Sequence, residues 1–230
     1  MVVKQRAVAV ADKEERRHAI LDAAESLFLE HPERMASVAE VAAAAGLAKG
    51  TVYLYFPSKE EMLLALHERH TQAFFDRFVA RVAGPGPAGF DEILAVARRH
   101  FIQRPGCLAL TSRCFGIMER DLPVEAAIAF KVRVGSRLAA AGAALEKRFP
   151  TLPPGSGARL LQHSLAVIVG LWQIIHPVER FGRAFERSEL AMLMRDYDLE
   201  IDRALRALWS GTIAPASAKP ALRSPKGGRR

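Results

Sequence analysis

The stretch Ser37-Val-Ala-Glu-Val-Ala-Ala-Ala-Ala-Gly-Leu-Ala-Lys-Gly-Thr-Val-Tyr-Leu-Tyr-Phe-Pro-Ser-Lys59 decides the fold. Val38, Val41, Ala42 and Ala45 recur at spacings that put them on one helical stripe. Ser37 precedes that stripe, and its hydroxyl can accept from an unpaired backbone N–H of the first turn. Gly46 follows it, where a left-handed turn carries no Cβ penalty. Leu47 reads as an apolar plug. A second short helix, about Lys49 to Tyr55, buries Val52 and Phe56 at i, i+4 and leaves Lys49, Thr51, Tyr53 and Leu54 on the open side. Pro57 ends it, and Ser58-Lys-Glu-Glu61 reads as a capping box that launches the next helix. Helix, tight break and short polar-aromatic helix are the parts of a helix-turn-helix.

Working outward, Arg17-His-Ala-Ile-Leu-Asp-Ala-Ala-Glu-Ser-Leu-Phe28 carries Ile20, Ala23, Ala24, Leu27 and Phe28 on one face, an amphipathic helix able to pack on the pair. Together these segments resemble the DNA-binding domain of the tetracycline-repressor (TetR) family of bacterial transcription regulators. The motif match covers about Arg17 to Leu66; the remainder resembles the family only in being helical and of suitable length. Ala36, Ala39 and Ala48 depart from the family pattern, which commonly has threonine, arginine and serine there. Loss of a capping side chain costs roughly 1 kcal/mol, so no contact is carried over to these alanines.

The resemblance implies a set of DNA contacts. Lys49 and Thr51 are placed to reach base edges or the flanking phosphate, and Gly50 lets the backbone approach closely. Tyr53 offers a phenol to a phosphate or a ring edge to a thymine methyl, and Leu54 offers an apolar contact to such a methyl. Tyr55 and Lys59 fit backbone contacts, and Ser37 adds one beside its capping role. Phosphate contacts set register; Lys49, Thr51, Tyr53 and Leu54 are the candidates for sequence reading.

The chain's charge does not single out this region. The formal net charge is +8 and the pI near 9.9, a balance that by itself suggests nucleic acid. Yet residues 1–60 hold eight Lys/Arg against nine Asp/Glu, residues 61–210 hold twenty against sixteen, and residues 211–230 hold five and no acid. Residue placement therefore carries the DNA-binding reading, and Asp22, Glu25 and Glu30 must face away from DNA.

The rest of the chain predicts helices over Ser58–Val82, Asp91–Gln103, Cys107–Glu119, Pro123–Phe149, Leu160–Ile175 and Ser188–Trp209, separated by the breaks Gly84-Pro-Gly-Pro-Ala-Gly89, Pro105-Gly106 and Pro153-Pro-Gly-Ser-Gly157. The expected fold is all-α, with no strand pattern and no fixed repeat. Its divisions are a flexible arm (1–12), a three-helix helix-turn-helix DNA-binding domain (13–60), a larger helical ligand-binding and dimerisation domain (61–210) and a disordered basic tail (211–230). That tail could touch DNA non-specifically or simply be solvated. Leu165–Ile175 is shorter than the roughly twenty residues a membrane helix needs. The N-terminus lacks the pattern of a signal peptide, so a cytoplasmic location is expected.

Two cysteines do not make a disulfide scaffold. Cys107 and Cys114 lie about 10 Å apart along one predicted helix, too far for a bond within it, and are expected to be buried. His67 and His70 have the i, i+3 spacing of two metal ligands, but nothing in sequence completes a site, so neither metal nor cofactor is expected. No phosphate loop, nucleophile elbow or paired-acid motif suggests an enzyme.

By resemblance the helical domain should form a homodimer that places two recognition helices on a palindromic operator. The last two long helices, about 158–176 and 188–209, are the candidates for that interface, because Leu160–Ile175 is more apolar than one core face requires. The resemblance also implies a pocket for an unknown small-molecule inducer between Asp91 and Ile175. Phe101, Arg113, Phe115, Met118, His163, Trp172 and Gln173 are the candidates to line it. The expected function is a ligand-released transcriptional repressor. The competing reading is a helical enzyme or a partner-binding adaptor that keeps the helical corner for structure alone.

Overall fold

The computed structural model describes residues 2–176, 188–190 and 195–213. They form α1 (Val2–Glu30), α2 (Val38–Ala44), α3 (Lys49–Tyr53), α4 (Lys59–Ala83), α5 (Phe90–Ala97), α6 (Cys107–Arg120), α7 (Val124–Arg148), α8 (Ser156–Ile175) and α9 (Tyr197–Ile213). A π-helical turn, Arg98–Ile102, prolongs α5, and a 3₁₀ turn covers Ser188–Leu190. No strand occurs among the described residues.

The helix starts follow local chemistry. Ser37 accepts from the Glu40 N–H at 3.3 Å while Glu40 Oε2 accepts from the Ser37 N–H at 2.8 Å, closing a capping box on α2. Ser58 caps α4 through the Glu61 N–H at 3.1 Å, the forward half of the box expected there. Ala48 caps α3 with no side-chain bond, as its methyl dictates. Gly46 turns the chain at φ +65°, the left-handed region its position between α2 and α3 requires. Residues 2–12 continue α1 without interruption, where the sequence reading places an arm: no proline or glycine stands in them to stop a helix.

Two apolar clusters form the core of the described residues. The first packs Ile20, Leu21, Ala24 and Phe28 of α1 against Val38 and Val41 of α2, Val52 of α3 and Phe56, and it runs on to Leu66 of α4. It also takes in Leu110, Cys114 and Ile117 of α6 and Phe130 of α7, so the helix-turn-helix shares its core with the helices behind it. The second joins Phe78 and Val82 of α4 to Ile93, Phe101, Leu145, Leu160, Ile168, Ile201 and Trp209. Helices α7 and α8 cross with backbones nearly touching: a Cβ on Gly142 would fall 2.3 Å from the Ala158 nitrogen, and one on Gly157 would fall 2.2 Å from the Gly142 carbonyl oxygen.

An ionic cluster ties α1 to the helical domain. Arg69 of α4 pairs with Asp22 at 2.6 Å and with Glu25, and Arg104 reaches Glu25 Oε1 at 3.2 Å. His70 Nε2 lies 2.8 Å from the same carboxylate oxygen. Burial opposes the Glu25 charge, but His70, Arg104 and Arg69 together hold its pKa below the usual carboxylate value. Asp22 and Glu25 are thus turned toward α4. From α6, Arg113 donates to the Pro32 carbonyl at 2.6 Å and lies over the Phe28 ring.

Helix α8 is longer than the apolar run Leu165–Ile175. At 20 residues and a mean hydropathy of 1.3 it is long and apolar enough to cross a membrane by composition alone. It nevertheless carries Arg159, Gln162, His163 and Gln173, and packs on α7 and α9. The C-terminal helix expected from Ser188 starts at Tyr197 and runs to Ile213, past the boundary drawn at 210. Leu193 and Met194, and the tail from residue 214, lie outside the described residues.

Candidate nucleic-acid interface and helical cavity

Helix α3 is anchored from one side only. Val52 is wholly buried and Phe56 nearly so, which fixes the rotation of this short helix. That rotation leaves Leu54 82% exposed and Tyr53 45% exposed. Lys49 extends its Nζ over the Tyr53 ring, 5.8 Å from the centroid. Lys49, Gly50, Ser37 and Lys59 are exposed, and Thr51 and Tyr55 half-buried. Of the eight residues expected to meet DNA, Lys49, Gly50, Thr51 and Tyr53 lie on α3, Leu54 and Tyr55 follow it directly, Ser37 caps α2, and Lys59 opens α4. No Cβ-sized obstacle lies within 4 Å of Gly50.

Two features support this surface. Arg17 of α1 stacks over the Phe56 ring at 5.3 Å, bracing the end of the short helix. Arg34 pairs with Glu40 at 2.8 Å, and that bond, with the Ser37 contacts, lowers the Glu40 pKa to about 2. The capping box consequently stays ionised across physiological pH.

Behind the helix-turn-helix, the helical domain encloses a cavity of about 650 Å³. Its size lies within the range that holds drug-sized molecules. Phenylalanines 74, 75, 78, 90, 101 and 130 supply much of the wall, with Leu138, Leu165 and Trp209. His67 and Thr71 of α4, Thr111 of α6 and Ser164 of α8 are its buried polar members.

Of the residues expected to line a pocket, Phe101, Phe115 and Gln173 do so. Arg113 does not: it points to Pro32 and Phe28, because its long side chain reaches the last turn of α1. His163 is exposed on α8, and Trp172 turns aside to stack on His176 at 5.4 Å. The side chain of Met118 lies outside the described residues. The interval Asp91–Ile175 is also too narrow, since α4 and α9 both contribute wall. The missed signal was the stripe His67, Thr71, Phe74, Phe78 on α4, whose spacings of three and four mark one face.

The histidines part company. His70 goes to Glu25, while His67 packs its ring 5.8 Å from Phe130 on the cavity wall. Among the described residues no three metal-ligating side chains gather. Burial lowers the His67 pKa to about 4, so its imidazole is neutral at pH 7. Cys107 and Cys114 are both buried and free, and burial pushes each thiol up to about 12. Such thiols are poor nucleophiles.

A two-helix corner with an outward-facing short helix, set on a larger helical domain, defines a helix-turn-helix regulator architecture. Residues 20–66 match the family described as bacterial regulatory proteins, tetR family, and residues 68–216 match the tetracyclin repressor-like C-terminal domain. The chain belongs to the TetR family, whose members are DNA-binding transcriptional regulators.

Similar proteins include the fatty acid metabolism regulator protein of Bacillus subtilis, 32% identical over 82 residues, which are 36% of this chain and 42% of that protein. The transcriptional repressor LfrR of Mycolicibacterium smegmatis is 34% identical over 85 residues, 36% of this chain and 43% of LfrR. The regulator EthR of Mycobacterium tuberculosis is 45% identical over 56 residues, 24% of this chain and 26% of EthR. The matched segments thus span less than half of these relatives. Among solved structures, the fatty acid degradation regulator FadR of Bacillus halodurans superposes with a TM-score of 0.54 at 17% identity, covering 84% of this chain and 94% of FadR. Reduced E. coli NemR gives 0.52 at 24% identity, covering 87% of this chain and 99% of NemR. Those structures share the fold.

Proposed function

We propose that this chain is a homodimeric repressor that binds a palindromic operator through α3 and leaves it when a small molecule fills the cavity. The observation that carries the reading is that one helix serves both sites. Helix α4 starts six residues after α3 and packs on the helix-turn-helix core through Leu63 and Leu66; farther along, it lines the cavity with His67, Thr71 and Phe74. A ligand that favours one position of α4 biases the position of α3, and by linkage DNA must weaken that ligand equally.

Ser37, Lys49, Gly50, Thr51, Tyr53, Leu54, Tyr55 and Lys59 would form the DNA face. Dimerisation through α8 and α9 is supported by apolar side chains that α8 leaves only partly covered: Ile174 is 52% exposed, and Val167 and Leu171 are half-buried. Such side chains on one helix fit a partner surface. A protein that acts on DNA in this way works in the bacterial cytoplasm.

The test is binding of the full chain to DNA from upstream of its own gene, followed by fluorescence anisotropy at several salt concentrations. Tight binding to a palindrome, reduced about fivefold or more by Tyr53→Ala and by Lys49→Ala, supports the reading. Binding that shows no sequence preference, or survives both substitutions, overturns it. Sedimentation should show a dimer in free solution.

A further inference from the structure

The hydrogen-bond inventory of the cavity wall is uneven. The Thr71 hydroxyl donates to the His67 carbonyl at 3.0 Å, Thr111 donates to the Cys107 carbonyl at 2.8 Å, and Ser164 donates to the Leu160 carbonyl at 2.8 Å. The Ser164 oxygen also accepts from the Trp209 indole at 2.9 Å. Each of these buried hydroxyls thus has its proton committed to its own helix. His67 alone among the described buried side chains of this wall leaves both ring nitrogens without a partner. A buried polar group in that condition carries a desolvation penalty that a bound molecule can remove.

The charge inventory is equally one-sided. Among the described residues that line the cavity, Lys131 carries the charge and is exposed, and none is a carboxylate. A cation entering this space would give up hydration and meet no counter-charge.

From these two observations we infer that the cavity takes a largely apolar molecule with a single uncharged or anionic polar end, that His67 hydrogen-bonds that end, and that cations of the same shape are rejected. A neutral imidazole offers one donor and one acceptor, so a hydroxyl, a carbonyl or a carboxylate satisfies it. The phenylalanine-rich wall receives the apolar body. This ligand class rests on the reading of the cavity as the effector site, but its test is independent of DNA.

Titration calorimetry of the full chain at pH 7.5 with 1-decanol, decanoate and decylammonium compares three polar ends on one alkyl body. Decanol or decanoate should bind at least tenfold more tightly than decylammonium. His67→Leu should weaken the better binder roughly three- to tenfold, the worth of one hydrogen bond, while raising the melting temperature of the ligand-free chain. His67→Gln, which restores a donor and an acceptor, should recover most of the lost affinity. Equal or tighter binding of decylammonium, no binding of any of the three up to millimolar concentration, or unchanged affinity in His67→Leu would each overturn the inference. If the affinities follow expectation but the better binder fails to displace operator DNA, the ligand class stands and the ligand-released reading falls.

Discussion

The outer face of α3 and the wall of the cavity are both made for binding, and they are built in opposite ways. The face of α3 spends its side chains outward. Tyr53 and Leu54 contribute little to the core, and the helix is held chiefly by Val52 and Phe56, with half-buried Tyr55 beside them. The cavity wall spends its side chains inward, so each residue there both packs and lines a space. Binding and stability are therefore separable on α3 and entangled in the cavity. The difference teaches where a substitution can be interpreted without a folding control.

That contrast can be broken by measurement. The largest stability effect is expected in the core that connects the two regions: Leu66→Ala removes a fully buried side chain of α4 and should cost about 2–5 kcal/mol in urea unfolding. Tyr53→Ala should weaken operator binding by about 1–3 kcal/mol, the range for a good base or phosphate contact, with the melting temperature unchanged. A fall in melting temperature comparable to Leu66→Ala would erase the distinction drawn for α3.

The cavity side is sharpened by pH. The His67 pKa falls from 6.5 to about 4 on folding because burial disfavours its charge. The unfolded chain therefore binds more protons than the folded one below pH 6.5, and stability is lost as pH falls from 6.5 toward 4. Between pH 7.5 and pH 5 this histidine accounts for about 2 kcal/mol, so His67→Leu should flatten the stability profile by that amount. An unchanged slope would mean that the histidine is not held neutral by burial. The smallest effect is local: Ser37→Ala removes the α2 cap and should cost about 1 kcal/mol, read by chemical denaturation.

Much of the helix-turn-helix was legible because its information is local. Val38, Val41 and Ala42 repeat within two turns, Val52 and Phe56 within one, and Ser37, Gly46 and Pro57 mark ends through their own backbone and capping chemistry. The cavity was legible only in part, since its described wall is drawn from α4 through α9, which are spread over long stretches of sequence. Phe101 and Gln173 were found by residue type, but Trp172 has the same type and turns to His176 instead. His67 and His70 looked like a pair because i, i+3 residues share a helix face. Nothing in that spacing reveals that Glu25, forty-five residues before His70, would claim one of them. The π-helical turn at Arg98–Ile102 left no sequence mark, for its residues differ in no obvious way from those of α5.

The apolar cluster that joins α1–α4 to Leu110, Cys114, Ile117 and Phe130 also decides how this chain can be taken apart. A regulator assembled from exchangeable modules would be cut between its DNA reader and its sensor, and a cut at residue 60 looks natural on the sequence. Here that cut would strip the reader of Met62 to Leu66 and expose the underside it shares with α6 and α7. A hybrid that keeps this reader and borrows another sensor must carry over the α6 and α7 residues that complete the reader's floor. Domain exchange in this molecule is a three-dimensional operation, set by a surface and not by a point along the chain.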